Sequence, residues 1–248
     1  MTRWKLTIEY DGTAYSGWQK QSNAPSVQQT LEEAIQKFSS EEASLFVAGR
    51  TDAGVHAHAQ VAHVDLKKET NGNVVRDAVN FYLRPHKIAI LNAEAADETF
   101  HARLSAMRRS YRYRIVNRRA PLTFQSLYAW HVINPLDIEA MQRAADILIG
   151  KHDFSTFRAS NCQANSPLRT LDKLEVTREG EDVFILSEAR SFLYHQVRNM
   201  VGTLSLVGTG HWSVENFRTA FAACDRTKGG PTAPAEGLYF WGVTYPQK

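Results

Sequence analysis

Hydrophobic and polar positions alternate from the start of the chain. Trp4, Leu6, Ile8 and Tyr10 are interleaved with Lys5, Thr7 and Glu9, the period-two pattern of a half-buried strand. Gly12 and Gly17 then mark a loop. Ser26 caps a predicted helix with Gln29 completing a capping box, and Val27, Leu31, Ala34, Ile35 and Phe38 form its apolar stripe. A short strand is expected at Leu45–Ala48, a loop at Gly49–Gly54, and a second strand near Gln60–Leu66. Asn73 is expected to cap a helix through Leu83, ahead of Pro85, with a strand following from Lys87 to Leu91. The order is βαββαβ.

The second half repeats the order without repeating the sequence. Tyr111–Val116 reads as a strand. Ile138, Met141, Ala145 and Leu148 mark a helix with Gly150 as its C-terminal cap. Strands follow near Leu171–Thr177 and Val183–Ala189, and a helix at about Phe192–Val207. A further helix is capped by Ser213, and Leu238–Tyr245 is the closing strand. This predicts an α+β protein of two ferredoxin-like βαββαβ halves, 1–104 and 105–248, with largely antiparallel sheets joined around a central active-site cleft. The longest irregular stretches, 152–169 and 224–237, carry Arg158, Arg169, Arg226 and Lys228; loops of that length usually belong to a site or move.

Composition narrows the function. The 248 residues are 43% hydrophobic and 22% charged, an ordinary globular balance. No apolar run approaches the ~20 residues of a membrane span, and the N-terminus has no signal-peptide apolar region, so a cytoplasmic protein is expected. Cys162 and Cys224 are too few for a disulfide scaffold or a four-thiolate zinc site. Net charge is only +3, but residues 101–120 hold seven arginines and no acid, leaving the remainder of the chain net negative. Such a concentration can attract a polyanion, or can be a solvated basic strand.

Phosphate-loop, dinucleotide and zinc-deaminase motifs are absent. His56, His58 and His63 lie on one alternating strand with His63 facing the other way, so no metal site is expected. Gly49-Arg50-Thr51-Asp52-Ala53-Gly54-Val55-His56 puts an Arg and an Asp on a tight loop between glycines. There a carboxylate serves as nucleophile or general base, or merely closes a hairpin by bonding its own backbone.

That octet resembles the signature of the tRNA pseudouridine synthase A family. Ordered matches run almost end to end: Tyr10-Asp11-Gly12-Thr13, Gly17-Trp18-Gln19, Ser26-Val27-Gln28, Phe100-His101-Ala102-Arg103 and Tyr111-Arg112-Tyr113. They continue through Phe154-Ser155, Phe157-Arg158, Val197-Arg198-Asn199-Met200, Thr232-Ala233-Pro234-Ala235 and Gly237-Leu238. One departure is Asn80–Pro85, where the family more often has Leu-Pro directly.

The resemblance implies an isomerase that acts at uridines 38, 39 and 40 of the tRNA anticodon stem-loop, without a cofactor and as a homodimer. By the same resemblance Asp52 is the catalytic carboxylate and Arg198 its pairing cation. Tyr111 is the active-site tyrosine, and Arg50 fills the space of a flipped base. Arg108, Arg109, Arg112, Arg158 and Arg169 are the expected RNA-backbone contacts. Two other classes remain: a non-catalytic RNA-binding protein, which should have lost Asp52, and a metal-dependent phosphoesterase, which would need tight metal binding.

Overall fold

A computed structural model describes residues 1–246. The described chain falls into two compact units, one of Met1–Arg109 together with the stretch from Tyr239 onward, the other of Ser110–Leu238. This division differs from the expected 1–104 and 105–248 in returning the last strand to the first unit.

In the first unit, β1 (Thr2–Tyr10) is flanked by β4 (Ile88–Ala96) and β3 (His56–Leu66), both antiparallel to it. β10 (Leu238–Thr244) joins β3 in parallel, Tyr239 opposite His56, which is why the last strand belongs here. The short β2 (Phe46–Val47) pairs β3 further along, Phe46 opposite His63. Trp4, Leu6, Ile8 and Tyr10 are all buried, as the alternation requires.

α1 (Val27–Ser39) buries Val27, Leu31, Ala34 and Ile35, and Ser26 caps it by accepting from the Gln29 N–H at 3.2 Å. The Gln29 side chain does not close the expected box; it donates instead to Glu33 one turn on. α2 (Gly72–Tyr82) is capped by Asn71 rather than Asn73: the earlier side chain accepts from the Val74 N–H at 3.1 Å. At α1 the Glu33 carboxylate draws the Gln29 amide away as a donor, and at α2 the earlier asparagine reaches the first-turn N–H.

In the second unit the sheet runs β5 (Arg108–Asn117), β9 (Asp182–Ala189), β8 (Leu168–Glu179), β7 (Gly150–Asp153), with β6 (Trp130–Val132) parallel to β5. β5 starts two residues before the unit boundary. α3 (Ile138–Asp146), α4 (Gln196–Gly208) and α5 (Val214–Ala222) complete it. Phe154, Phe157, Phe217 and Phe221 form its aromatic core, with Phe157 and Phe221 stacked at 5.7 Å.

Two boundaries differ from expectation. α3 ends four residues before Gly150, which at φ +104° opens β7 instead of capping a helix. α4 begins at Gln196 because His195 is left-handed (φ 59°), so Phe192–Tyr194 form its approach. The Ser213 cap is as expected, with Asn216 completing its box. Among the described residues no helix is long and apolar enough to cross a membrane.

Candidate active site

The loop between β2 and β3 carries Arg50 and Asp52, and it is fastened along its whole length. At its entry, the Ala48 N–H donates to Val61 O at 2.8 Å, and Gly49 O accepts from Gln60 Nε2 at 2.8 Å. The buried Arg109 guanidinium donates twice to Ala48 O, at 2.9 and 2.8 Å. At its centre Thr51 is turned inward, and its hydroxyl shares a 2.8 Å hydrogen bond with the Tyr10 hydroxyl. Burial pushes Tyr10 up to about 12, so that hydroxyl keeps its proton at any working pH.

A second loop, residues 11–18, backs the first. The Trp18 N–H donates to Thr51 O at 3.0 Å and the Gly54 N–H to Tyr15 O at 3.3 Å. Gly17 is required here twice over: φ is +99°, and a Cβ would lie 2.6 Å from Thr51 O. Gly12 is pressed closer still, 2.0 Å from Val55 O for an added Cβ, and its N–H donates to His56 Nδ1 at 3.0 Å. With Thr51 anchored inward, Arg50 is exposed and Asp52 half-buried on either side of it. A braced, glycine-permitted loop fixes where the Asp52 backbone sits before substrate arrives.

The histidines of β3 are occupied by structure. His56 Nδ1 takes the Gly12 N–H, and His63 Nδ1 accepts from the Ala102 N–H at 3.1 Å. His58 lies between the rings of Tyr239 and Trp241, at 5.3 and 4.6 Å. Among the described residues no three ligating side chains gather.

The other expected residues belong to the second unit. Tyr111 is buried on β5, with the Phe192 ring edge-on at 5.2 Å. Tyr113, two residues along on the same face, is fully buried and donates to Pro234 O at 2.7 Å, which makes it a core residue. Arg198, in the first turn of α4, donates through Nε to Ala233 O at 2.8 Å and lies 3.4 Å from His195 Nε2. The Ala233 N–H returns a bond to Arg198 O at 3.1 Å.

A network that the sequence did not reveal supports that arginine. Asn199 Oδ1 accepts from Thr232 Oγ1 at 2.6 Å and from Arg226 Nη2 at 3.2 Å, while its amide donates to Phe157 O at 2.9 Å. Gly202, one turn further, lets Pro231 O approach to 1.8 Å from where a Cβ would stand. Residues 226–233 are thus strapped to α4. The only sequence signal was the pairing of Gly-Gly-Pro with a helix glycine.

The five expected backbone arginines divide. Arg108 is exposed. Arg112 lies 3.6 Å above the centre of the Phe184 ring. Arg158 donates to Cys162 O and Ala164 O, and Arg169 to Ser166 O and Leu168 O. Arg109 faces inward, bonded to Ala48 O and Arg103 O, which suits a structural strut rather than a phosphate contact.

Comparison with known proteins agrees with this arrangement of motifs. A family model described as tRNA pseudouridine synthase matches residues 6–104 and 144–246. The tRNA pseudouridine synthase A of Rhodospirillum centenum is 57% identical over 245 residues, covering 99% of this chain and 100% of that protein. That of Paramagnetospirillum magneticum is also 57% identical, covering 99% and 96%, and that of Beijerinckia indica is 54% identical, covering 100% and 95%. Identity at this level across both units means that the chain belongs to the tRNA pseudouridine synthase family.

Proposed function

We propose that this enzyme converts uridine to pseudouridine at positions 38, 39 and 40 of the tRNA anticodon stem-loop, with Asp52 as the catalytic carboxylate acting on a flipped-out base. Family membership carries the coarser statement, isomerisation of uridine in tRNA. The single observation that supports Asp52 as the catalytic carboxylate is the braced Arg50–Asp52 loop, whose backbone is held on every side while the carboxylate itself is left half-buried; positions 38–40 rest on the family resemblance.

The reaction breaks the bond between C1′ and N1 of uracil, turns the ring, and forms a bond from C1′ to C5. The C5 proton is lost and N1 regains one, so atoms balance and nothing is oxidised. Attack by Asp52 at C1′ and attack at C6 both start from a charged carboxylate held against the nucleotide. Extruding the base costs a few kcal/mol, which stacking against Tyr111 and insertion of the planar Arg50 cation would offset. Arg198, fixed by Ala233, is the cation proposed to pair with Asp52. We also propose that the enzyme works in the cytoplasm as a homodimer.

The test is tritium release from tRNA labelled at C5 of uridine, incubated with purified protein and EDTA, followed by mapping of the modified positions. Wild-type protein should release label from positions 38–40. Asp52→Asn keeps the side-chain shape without its charge and should abolish release, while tRNA affinity changes by less than about tenfold. Substantial turnover by Asp52→Asn removes Asp52 from the mechanism.

A further inference from the structure

Where β7, β8 and the end of β9 meet, the second unit carries a groove of about 220 Å³ lined by Lys151, Leu168, Arg169, Thr170, Arg190 and Ser191. This is smaller than the roughly 300–1,000 Å³ of pockets for small organic ligands, yet roomy for a phosphate group with water. Three of the six side chains are cations, two are hydroxyls, and no carboxylate lines it. Strand register sets two of them side by side, since Lys151 pairs directly with Thr170.

Arg169 is the informative member. Its Nη1 is used by Ser166 O and Leu168 O, but its Nε–H is buried with no hydrogen-bond partner among the described residues. Burial lowers its proton affinity, and the neighbouring Arg158 adds to this, although Cys162 partly offsets them, so this guanidinium is a cation at a cost. An anion relieves both defects at once, by accepting a charge-assisted hydrogen bond and by offsetting the crowded positive charge. A second groove, lined by Arg118, Arg119 and Arg178, differs in this respect. There Arg118 is paired with Glu181, and Arg178 donates to Asn117 and Leu136 O.

We propose that the Lys151–Arg169–Arg190 groove binds a backbone phosphate of the substrate tRNA. Its role is to hold the RNA in register and not to touch the reacting base. This deepens the functional assignment above and rests on it for the identity of the polyanion. Free phosphate offers the same chemistry, and the experiment separates the two sources.

The measurement is tRNA affinity across a salt series for wild type, Lys151→Ala, Arg190→Ala and Lys151→Arg, with single-turnover rates at saturating tRNA. Lys151 and Arg190 are exposed, and thermal midpoints confirm that the variants fold. Each alanine variant should bind three- to tenfold more weakly at low salt, with the log–log salt slope reduced by about one. The saturated rate should stay at the wild-type value, and Lys151→Arg should restore affinity. Unchanged affinity and slope in both alanine variants overturn the proposal. So does calorimetric binding of inorganic phosphate that Lys151→Ala abolishes while tRNA affinity is untouched, because the groove would then serve a free anion. Altered slopes in a protein that forms no pseudouridine would defeat the isomerase assignment and leave the groove standing; normal turnover with equal slopes would do the reverse.

Discussion

Burial, with His101 and Arg3 adding to it, lowers His63 to about 4, and its Nδ1 meanwhile accepts the Ala102 N–H. The folded state therefore holds this imidazole neutral, whereas the unfolded chain protonates it near 6.5. Its contribution is fully present above pH 6.5 and is lost as pH falls towards 4, by up to about 3 kcal/mol. Denaturant unfolding between pH 7.5 and 4.5 should show that acid limb, and His63→Gln, a non-titrating acceptor, should flatten it. Tyr111 invites a different comparison. Tyr111→Phe keeps the ring and Tyr111→Leu loses it, with the roughly 1–3 kcal/mol of base stacking proposed for it. If the hydroxyl relays a proton, Phe should bind tRNA normally and turn over about 10²-fold more slowly. If only the face matters, Phe should match wild type and Leu should fail; single-turnover rates at fixed salt decide.

α4 and the strap of residues 226–233 form one assembly through Arg198, Asn199, Gly202 and Thr203, whose hydroxyl accepts the Gly230 N–H at 2.9 Å. Gly202→Ala forces a methyl against Pro231 O, a backbone atom that cannot step aside without moving the strap. The expected cost is about 1–3 kcal/mol, read as a lower thermal midpoint, with activity falling alongside because Ala233 loses its hold on Arg198. Elements of this kind separate what the sequence exposes from what it hides. β1 and α1 were legible because each has one buried face, and the period follows. β6 and β7 were not: three or four residues, Trp-His-Val and Gly-Lys-His-Asp, are too short to show a period. The start of α4 is hidden because Phe192 and Leu193 continue its apolar character, while the left-handed His195 leaves no composition signal. Asp52 was legible only through the motif around it. Thr51 and Tyr10, which hold it, are ordinary until folded together. Arg109 could have been placed, since it is in phase with Tyr111, Tyr113 and Ile115, the buried face of β5.

Across the molecule, that phase redraws the charge distribution. Of the seven arginines between 101 and 120, Arg109 faces inward, Arg114 pairs with Asp182 at 2.8 Å and Arg118 with Glu181 at 3.0 Å. The field available to a polyanion is thus smaller than the count suggests, and adjacent residues should behave differently. Arg108→Ala should flatten the salt dependence of tRNA binding by about one unit with little effect on stability. Arg109→Ala should leave the slope unchanged and cost roughly 1.5–3 kcal/mol, because Ala48 O loses its charged donor. Equal slopes for the two variants would reject this division. The parallel strand β10 has a consequence in time. A ribosome delivers β1 through β4 first, then the whole of residues 110–238, and only afterwards the partner that covers His56 and Ala57 of β3. Throughout that interval the nascent first unit carries an uncovered strand edge directly beside the Asp52 loop, the kind of edge that invites mispairing with other chains. The Asp52 loop is therefore translated long before the strand that covers its neighbour His56.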